Sequence, residues 1–224
     1  WYVVGVLTFA YLVSFLDRQI LALMVGPIQE DLMLSDTQIS LLMGLAFSIF
    51  YIFMAVPLGR LADNSVRRNI IIGGVTLWSL MTAACGLAGS YWHLFLARMG
   101  VGVGEATLTP SATSMIADYF PSGARGKALA TYNAGVSLGT GFAMVFGGLI
   151  ITYVSTSERH VLPIVGSGAA WQYVFFLVAL PGLLVVLLML TVREPARQET
   201  SAAAQNLSFR DVLTYLYGRR KIYI

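Results

Sequence analysis

Long apolar runs, broken by short polar or Gly/Pro-bearing segments, fill most of the chain up to about position 192. Six of them approach the roughly 20 apolar residues that a helix needs to cross a bilayer core. They are 2–25, 38–58, 70–88, 94–117, 128–154 and 171–192. Helices are the expected form, because lipid cannot satisfy backbone polar groups and only helices or closed barrels do so internally. Barrel strands would be about half as long and would alternate in polarity. The pattern changes after 192. Residues 195–206, PARQETSAAAQN, read as a polar linker. In the following LSFRDVLTYL, Ser208 is placed as an N-cap with Asp211 three residues on, and Leu207 and Val212 form a hydrophobic staple. Phe209, Val212, Leu213 and Leu216 then keep helical spacing, which predicts an amphipathic helix along the membrane surface.

Composition narrows the class. Of 224 residues, 57% are hydrophobic and 11% charged, and the mean hydropathy is +0.75. A soluble domain carries roughly 25% charged residues. The net charge of +3 is small, so its placement matters more than its size, and no nucleic-acid partner is expected. The single cysteine, Cys85, lies in an apolar run and reads as a buried small hydrophobe. The chain opens on Trp1, already apolar, and stops at RRKIYI, so a longer natural protein is expected.

The basic residues set an orientation. If the six runs alternate, one side collects Arg60, Arg67, Arg68, Arg125, Lys127, Arg193, Arg197, Arg210, Arg219, Arg220 and Lys221. The opposite loops hold only Arg159, and the first of them, GPIQEDLMLSD, is acidic. The positive-inside rule puts the basic side, the N-terminus and 193–224 in the cytoplasm.

Two arginines, Arg18 and Arg98, sit in no loop. They share the spans with Asp17, Glu105 and, at an edge, Asp118. One charge at mid-bilayer costs from about 2.5 to more than 10 kcal/mol, so these groups must be hidden together or used. At 1.5 Å per residue, Asp17 lies roughly 12 Å below the outer edge, Arg98 about 8 Å and Glu105 roughly 18 Å. Arg98 and Glu105, seven residues apart, share a helix face. Asp17 and Arg18 point about 100° apart and can address different partners. A network joining the first and fourth spans is expected. Its bland form is an ion-pair cluster that pins two helices; its functional form is a polar site facing a water-filled cavity. Helix packing in lipid ordinarily uses small residues and neutral hydrogen bonds, which favours the functional form. The first and fourth spans also open two successive triplets, the arrangement of transporters built from two inverted three-helix repeats with a midplane site.

Other signals have plainer readings. GVSLG, Gly135 to Gly139, matches a hydrolase nucleophile pattern but lies inside a helix, where the glycines serve close packing. Gly100, Gly102 and Gly104 follow no strand and are packing residues rather than a phosphate loop. His93 and His160 lack metal-ligand spacing. Tyr91, Trp92 and Trp171 fit interface anchors. No metal, no cofactor and no enzyme activity are expected.

GRLADNSVRR, Gly59 to Arg68, resembles the signature loop after the second helix of the major facilitator superfamily, through Gly59, Asp63, Arg67 and Arg68. Asn64 and Val66 depart from that pattern. IADYFPSGARGKA, around Asp118 and Arg125, resembles the family's connection between the fourth and fifth helices. The resemblance implies a cytoplasmic charge lock of Asp63, Arg67, Arg68, Asp118 and Arg125. PLGRLAD, WSLMTA, YWHLFLARMGVGVGEA and the Asp17–Arg18 pair resemble the Spinster group of that superfamily. That resemblance implies an all-α membrane protein with six transmembrane helices as two inverted repeats, the N-terminal half of a twelve-helix fold. It divides the chain into a bundle, 1–192, and a cytoplasmic segment, 193–224, that leads toward a C-terminal half. It further implies secondary transport by alternating access of lysophospholipid- or sphingolipid-like amphiphiles, with proton coupling. Asp17 and Glu105 would be the protonatable or substrate-contacting carboxylates, and Arg18 and Arg98 their partners and contacts for an anionic head group. The partners implied are membrane lipid, protons, a small amphiphilic or anionic substrate and the C-terminal half, and the expected location is the plasma (inner) membrane. Two rival readings are a symporter or antiporter of small organic anions and a membrane receptor or scaffold that moves no solute.

Overall fold

The structure, a computed structural model, describes residues 1–155, 161–162, 166–167, 169–198 and 217–218. Nine helices run in order among them: α1 (Tyr2–Leu23), α2 (Val25–Asp31), α3 (Asp36–Met43), α4 (Leu45–Asn64), α5 (Arg67–Cys85), α6 (Tyr91–Glu105), α7 (Leu108–Tyr119), α8 (Ser122–Ser155) and α9 (Ala170–Thr191). Two short strands, β1 (Val161–Leu162) and β2 (Gly166–Ser167), pair antiparallel between α8 and α9. The helices form six spans, α1, α3–α4, α5, α6–α7, α8 and α9, with α2 in the connection between the first two. Among the described residues, four segments are long and apolar enough to cross a membrane: Tyr2–Leu23, Asp36–Asn64, Ser122–Thr152 and Ala170–Thr191. The other two carry polar cargo: α5 opens on Arg67, Arg68 and Asn69, and α6 holds Arg98 and Glu105.

Prolines explain two of the breaks. Proline has no N–H, and its ring clashes with the carbonyl four residues back. Pro27 acts on Leu23, where α1 gives way to α2, and Pro110 acts on Ala106, just beyond the end of α6. The fourth span, expected as one helix over 94–117, is therefore interrupted at Ala106–Thr107, directly after Glu105. The Thr107 hydroxyl and amide both donate to the Gly104 carbonyl there, at 2.8 and 3.2 Å. The connection at 26–36 is more ordered than its sequence implied. Its helix α2 is followed by Met33 at φ 53°, and α3 opens on a Ser35–Gln38 capping box. At 34 residues, α8 is about 50 Å long, so it must project beyond a core about 30 Å thick. It begins at Ser122, six residues before the apolar run expected there.

Packing rests on α1 against α8, α5 against α6 and α9, and α4 against α6. Glycines set the closest approaches. A Cβ at Gly139 would lie 2.8 Å from Phe15 Cβ and 3.0 Å from the Leu12 carbonyl on α1. One at Gly104 would lie 2.7 Å from both Gly74 O and Trp78 N on α5. The apolar core is split into two clusters. The first includes Leu7 and Val13 of α1, Val75 and Trp78 of α5, and Val185 and Met189 of α9. The second includes Leu16 and Ile20 of α1, Cys85 of α5, and Val174 and Val178 of α9. Between them on α1 and α5 lie the buried polar residues Ser14, Ser79 and Thr82. Trp171, expected as an interface anchor, is instead buried and donates through its indole N–H to Asp31 Oδ2 at 2.9 Å. Trp92 is exposed.

Adjacent glycines on α5 give a direct test of this packing. A Cβ at Gly74 would meet Thr107 Oγ1 at 1.8 Å and the Gly104 carbonyl at 2.7 Å, whereas one at Gly73 meets nothing within 4 Å. Gly74→Ala is expected to lower the thermal midpoint of the purified protein, at an overpacking cost of about 1–3 kcal/mol. Gly73→Ala should be neutral or mildly stabilising, since Ala is the better helix former by about 1 kcal/mol.

Candidate functional site

The level between the two apolar clusters holds the charges expected to meet. Asp17 and Glu105 are buried, as is Arg98, while the Arg18 side chain keeps 26% of its surface exposed. Arg18 comes from α1 and Glu105 from the end of α6, and they form a direct ion pair, Nε to Oε2 at 2.6 Å. Ser14, one turn before Arg18, donates to the same oxygen at 3.0 Å. Three aromatic rings surround the guanidinium: Phe15, Phe47 and Tyr51, with centroids 5.1, 4.7 and 5.0 Å from its carbon. Cations are attracted to ring faces at such distances, more strongly when partly desolvated.

The second pair is built differently. Arg98 Nη1 lies 3.8 Å from Asp17 Oδ1, beyond hydrogen-bond reach, and 3.5 Å from the Asp17 backbone carbonyl. Thr82 of α5 donates its hydroxyl to Asp17 Oδ2. Asp17 Oδ1 and Glu105 Oε1 are both buried without a hydrogen-bond partner among the described residues. Each carboxylate therefore has one oxygen held by donors and one bare. A bare buried carboxylate oxygen is costly when ionised and is a natural landing place for a proton.

The signature residues lie at the opposite, basic end of the bundle. Here α4 continues through Gly59 and Asp63 to Asn64, and α5 starts at Arg67, so only Ser65 and Val66 form a loop. Arg67 is fully buried and anchors a cluster. It bonds Asp118 Oδ2 at 2.5 Å, Glu194 Oε1 at 2.7 Å, Ser114 Oγ at 2.8 Å and the Pro195 carbonyl at 3.2 Å. The Arg68 backbone N–H caps Glu194 Oε2 at 2.9 Å, and its side chain reaches the Val192 carbonyl at 3.3 Å. Arg197 donates to the carbonyls of Ala62 and Ser65 at 2.6 and 2.9 Å, meeting the negative end of α4.

The residues expected in a charge lock at this end are not all gathered in one cluster. Asp63 is exposed, and its carboxylate takes no part in the Arg67 cluster. The acidic partner beside Asp118 is Glu194, which follows α9 and was missed because its sequence context reads only as the start of a linker. Arg125 sits half-buried at the start of α8, apart from the bonds to Asp118, which come from Arg67 and Gln198. The amphipathic segment around Ser208–Leu216, with Arg159 and His160, lies outside the described residues.

With this geometry in hand, comparison with known proteins adds the following. The sequence model of the Major Facilitator Superfamily matches residues 7–223. An MFS-type efflux pump of Mycolicibacterium smegmatis is 35% identical over 150 residues, 67% of this chain and 35% of that protein. Human protein spinster homolog 1 is 29% identical over 200 residues, 87% of this chain and 35% of that protein. The crystal structure of a bacterial homolog to the human lysosomal transporter Spinster, inward-facing and unoccupied, superposes with a TM-score of 0.79 at 35% identity, covering 97% of this chain and 49% of that one. The chain thus spans about a third of the length of these curated relatives and about half of that structure.

The Arg67 cluster has a measurable consequence. Arg67→Met would strip Asp118 and Glu194 of their common partner in a largely dry site. It is expected to cost on the order of 3 kcal/mol, read as a clear fall in the thermal midpoint. Glu194→Gln keeps an acceptor for the Arg67 N–H and should lose markedly less.

Proposed function

The chain belongs to the Major Facilitator Superfamily, in its Spinster-like group, whose members are transporters, and from that premise we propose that it supplies half of the pathway of a proton-coupled secondary transporter. The observation that carries the reading is the Arg18–Glu105 pair. A cation from the first span is bonded to a buried carboxylate of the fourth, while about a quarter of its own side-chain surface, 26%, is left uncovered. A merely structural pin would be closed on every side. This one presents a guanidinium, framed by aromatic rings, to whatever occupies the open side.

Such an arrangement supports binding of an amphiphile with an anionic head. The guanidinium offers charge-assisted hydrogen bonds to a phosphate or carboxylate. Phe15, Phe47 and Tyr51 offer apolar contact to the part that follows. Lysophospholipid- or sphingolipid-type molecules fit this chemistry. An anionic head that draws Arg18 away leaves Glu105 with Ser14 alone, and a carboxylate that loses its cation takes up a proton more readily. Substrate and proton loading are then linked through one side chain. Asp17 supplies a second loading site beside Arg98. In this reading the basic end, with Arg67, Asp118 and Glu194, faces the cytoplasm of a plasma (inner) membrane, as does the N-terminus, and the remainder of the longer protein completes the cavity.

Reconstituted full-length protein tests the reading. Glu105→Gln should fold, because Ser14 and Arg18 retain an acceptor oxygen. Uptake of a labelled lysophospholipid driven by an imposed proton gradient should fall at least about tenfold, the equivalent of 1.4 kcal/mol in the barrier. Unchanged gradient-driven uptake in that variant would remove Glu105 from the coupling mechanism.

A further inference from the structure

We propose that Thr82 is a positioning residue for the proton: from α5 it holds Oδ2 of Asp17 and leaves Oδ1 as the atom that loads. This rests on the reading of Asp17 as a coupling carboxylate. Threonine inside a helix ordinarily turns its hydroxyl back to the carbonyl four residues earlier. Among the described residues six threonines do so: Thr8 to Val4, Thr76 to Ile72, Thr113 to Thr109, Thr131 to Lys127, Thr140 to Val136 and Thr152 to Gly148. Thr82, fully buried in the last turn of α5, instead donates across the bundle to Asp17 on α1.

The rest of the Asp17 environment makes that bond decisive. Arg98 on α6 stands 3.8 Å from Oδ1, close enough for attraction but too far to hydrogen bond. Glu105 on α6 repels electrostatically, Arg18 on α1 attracts, and the buried thiol of Cys85 lies three residues further along α5. Among these groups only Thr82 bonds the carboxylate group itself. Glu105 differs, since Arg18 and Ser14 both crowd its Oε2. A proton that reaches the bare Oδ1 forms its O–H bond there and neutralises the carboxylate, and Oδ2 becomes the carbonyl oxygen of the acid. Thr82 keeps donating to Oδ2 throughout, so loading needs no hydroxyl reversal on α5. A donor to a carboxylate favours its ionised form more than its protonated one. Thr82 thereby sets the pH at which Asp17 releases its proton and ties that event to the position of the third span.

The test is the pH profile of transport in vesicles reconstituted with full-length protein and a labelled lysophospholipid. Thr82→Val keeps the shape and removes the hydroxyl. Thr82→Ser keeps the hydroxyl and removes the methyl. The proposal expects the Val variant to move the pH of half-maximal transport alkaline by about one unit or more, the size of a lost hydrogen bond to a buried charge. The Ser variant should stay near the parent. A packing role predicts the reverse, with Val silent and Ser perturbed, and that result overturns the proposal. If Thr82→Val does not fold, Thr82→Ala against Thr82→Ser carries the same comparison. A flat profile in the unmodified protein overturns the coupling reading itself. A pH-dependent parent with an unshifted Val variant overturns the role of Thr82 alone.

Discussion

A charge in the middle of a lipid-embedded bundle survives only beside an opposite charge, and the rest of this fold is arranged around that constraint. Asp17, Arg18, Arg98 and Glu105 pair across two spans, and each pair needs helices close enough to exclude lipid. The core responds by dividing. One apolar cluster closes the bundle on the side of Leu7 and Met189, another on the side of Ile20 and Trp171, and a polar layer lies between. Neither cluster could reach across that layer without burying an unpaired ion.

Small residues and one proline bring the charges to that level. Gly104 lets α6 lie on α5 with backbone against backbone, so Glu105 is delivered to α1 rather than to the lipid. Gly139 does the same for α8 against α1, next to Phe15 and so next to the aromatic frame of Arg18. Pro110 ends α6 directly after Glu105, which places the carboxylate at a break in the helix. At the basic end Arg67 collects α7 and the segment after α9 onto the start of α5, fixing the outer frame within which the central pairs sit.

Much of this was legible in the sequence, for physical reasons that differ by element. Six apolar runs and charge bias follow from lipid chemistry, which acts on each run alone. The meeting of Arg18 with Glu105 was legible because two isolated charges in apolar helices at similar depth have few other partners. Their exact pairing was not, since it depends on helix rotation that no single run encodes. Asp63 and Glu194 show the limit more sharply. Asp63 matches a known pattern yet stays exposed, and Glu194, in a stretch that reads as linker, closes on Arg67 from 127 residues away. The interruption at Ala106 was written in Pro110, but a continuous apolar run masked it. Thr82 carried no signal, because a threonine in a helix is expected to bond its own backbone.

The central claim is that the Arg18–Glu105 pair faces water rather than lipid or a sealed interior. The most direct measurement is labelling of full-length protein in membranes by a charged thiol reagent that cannot cross the bilayer. Native Cys85 is fully buried and makes a silent background once any cysteines outside this chain are replaced by serine. A cysteine at Tyr51, whose ring lies against Arg18, should react, whereas one at the outward-facing Leu183 of α9 should not. If the cysteine at position 51 is as silent as Cys85 from both sides of the membrane, in a protein that is folded, the pair is a closed structural pin and the account is contradicted.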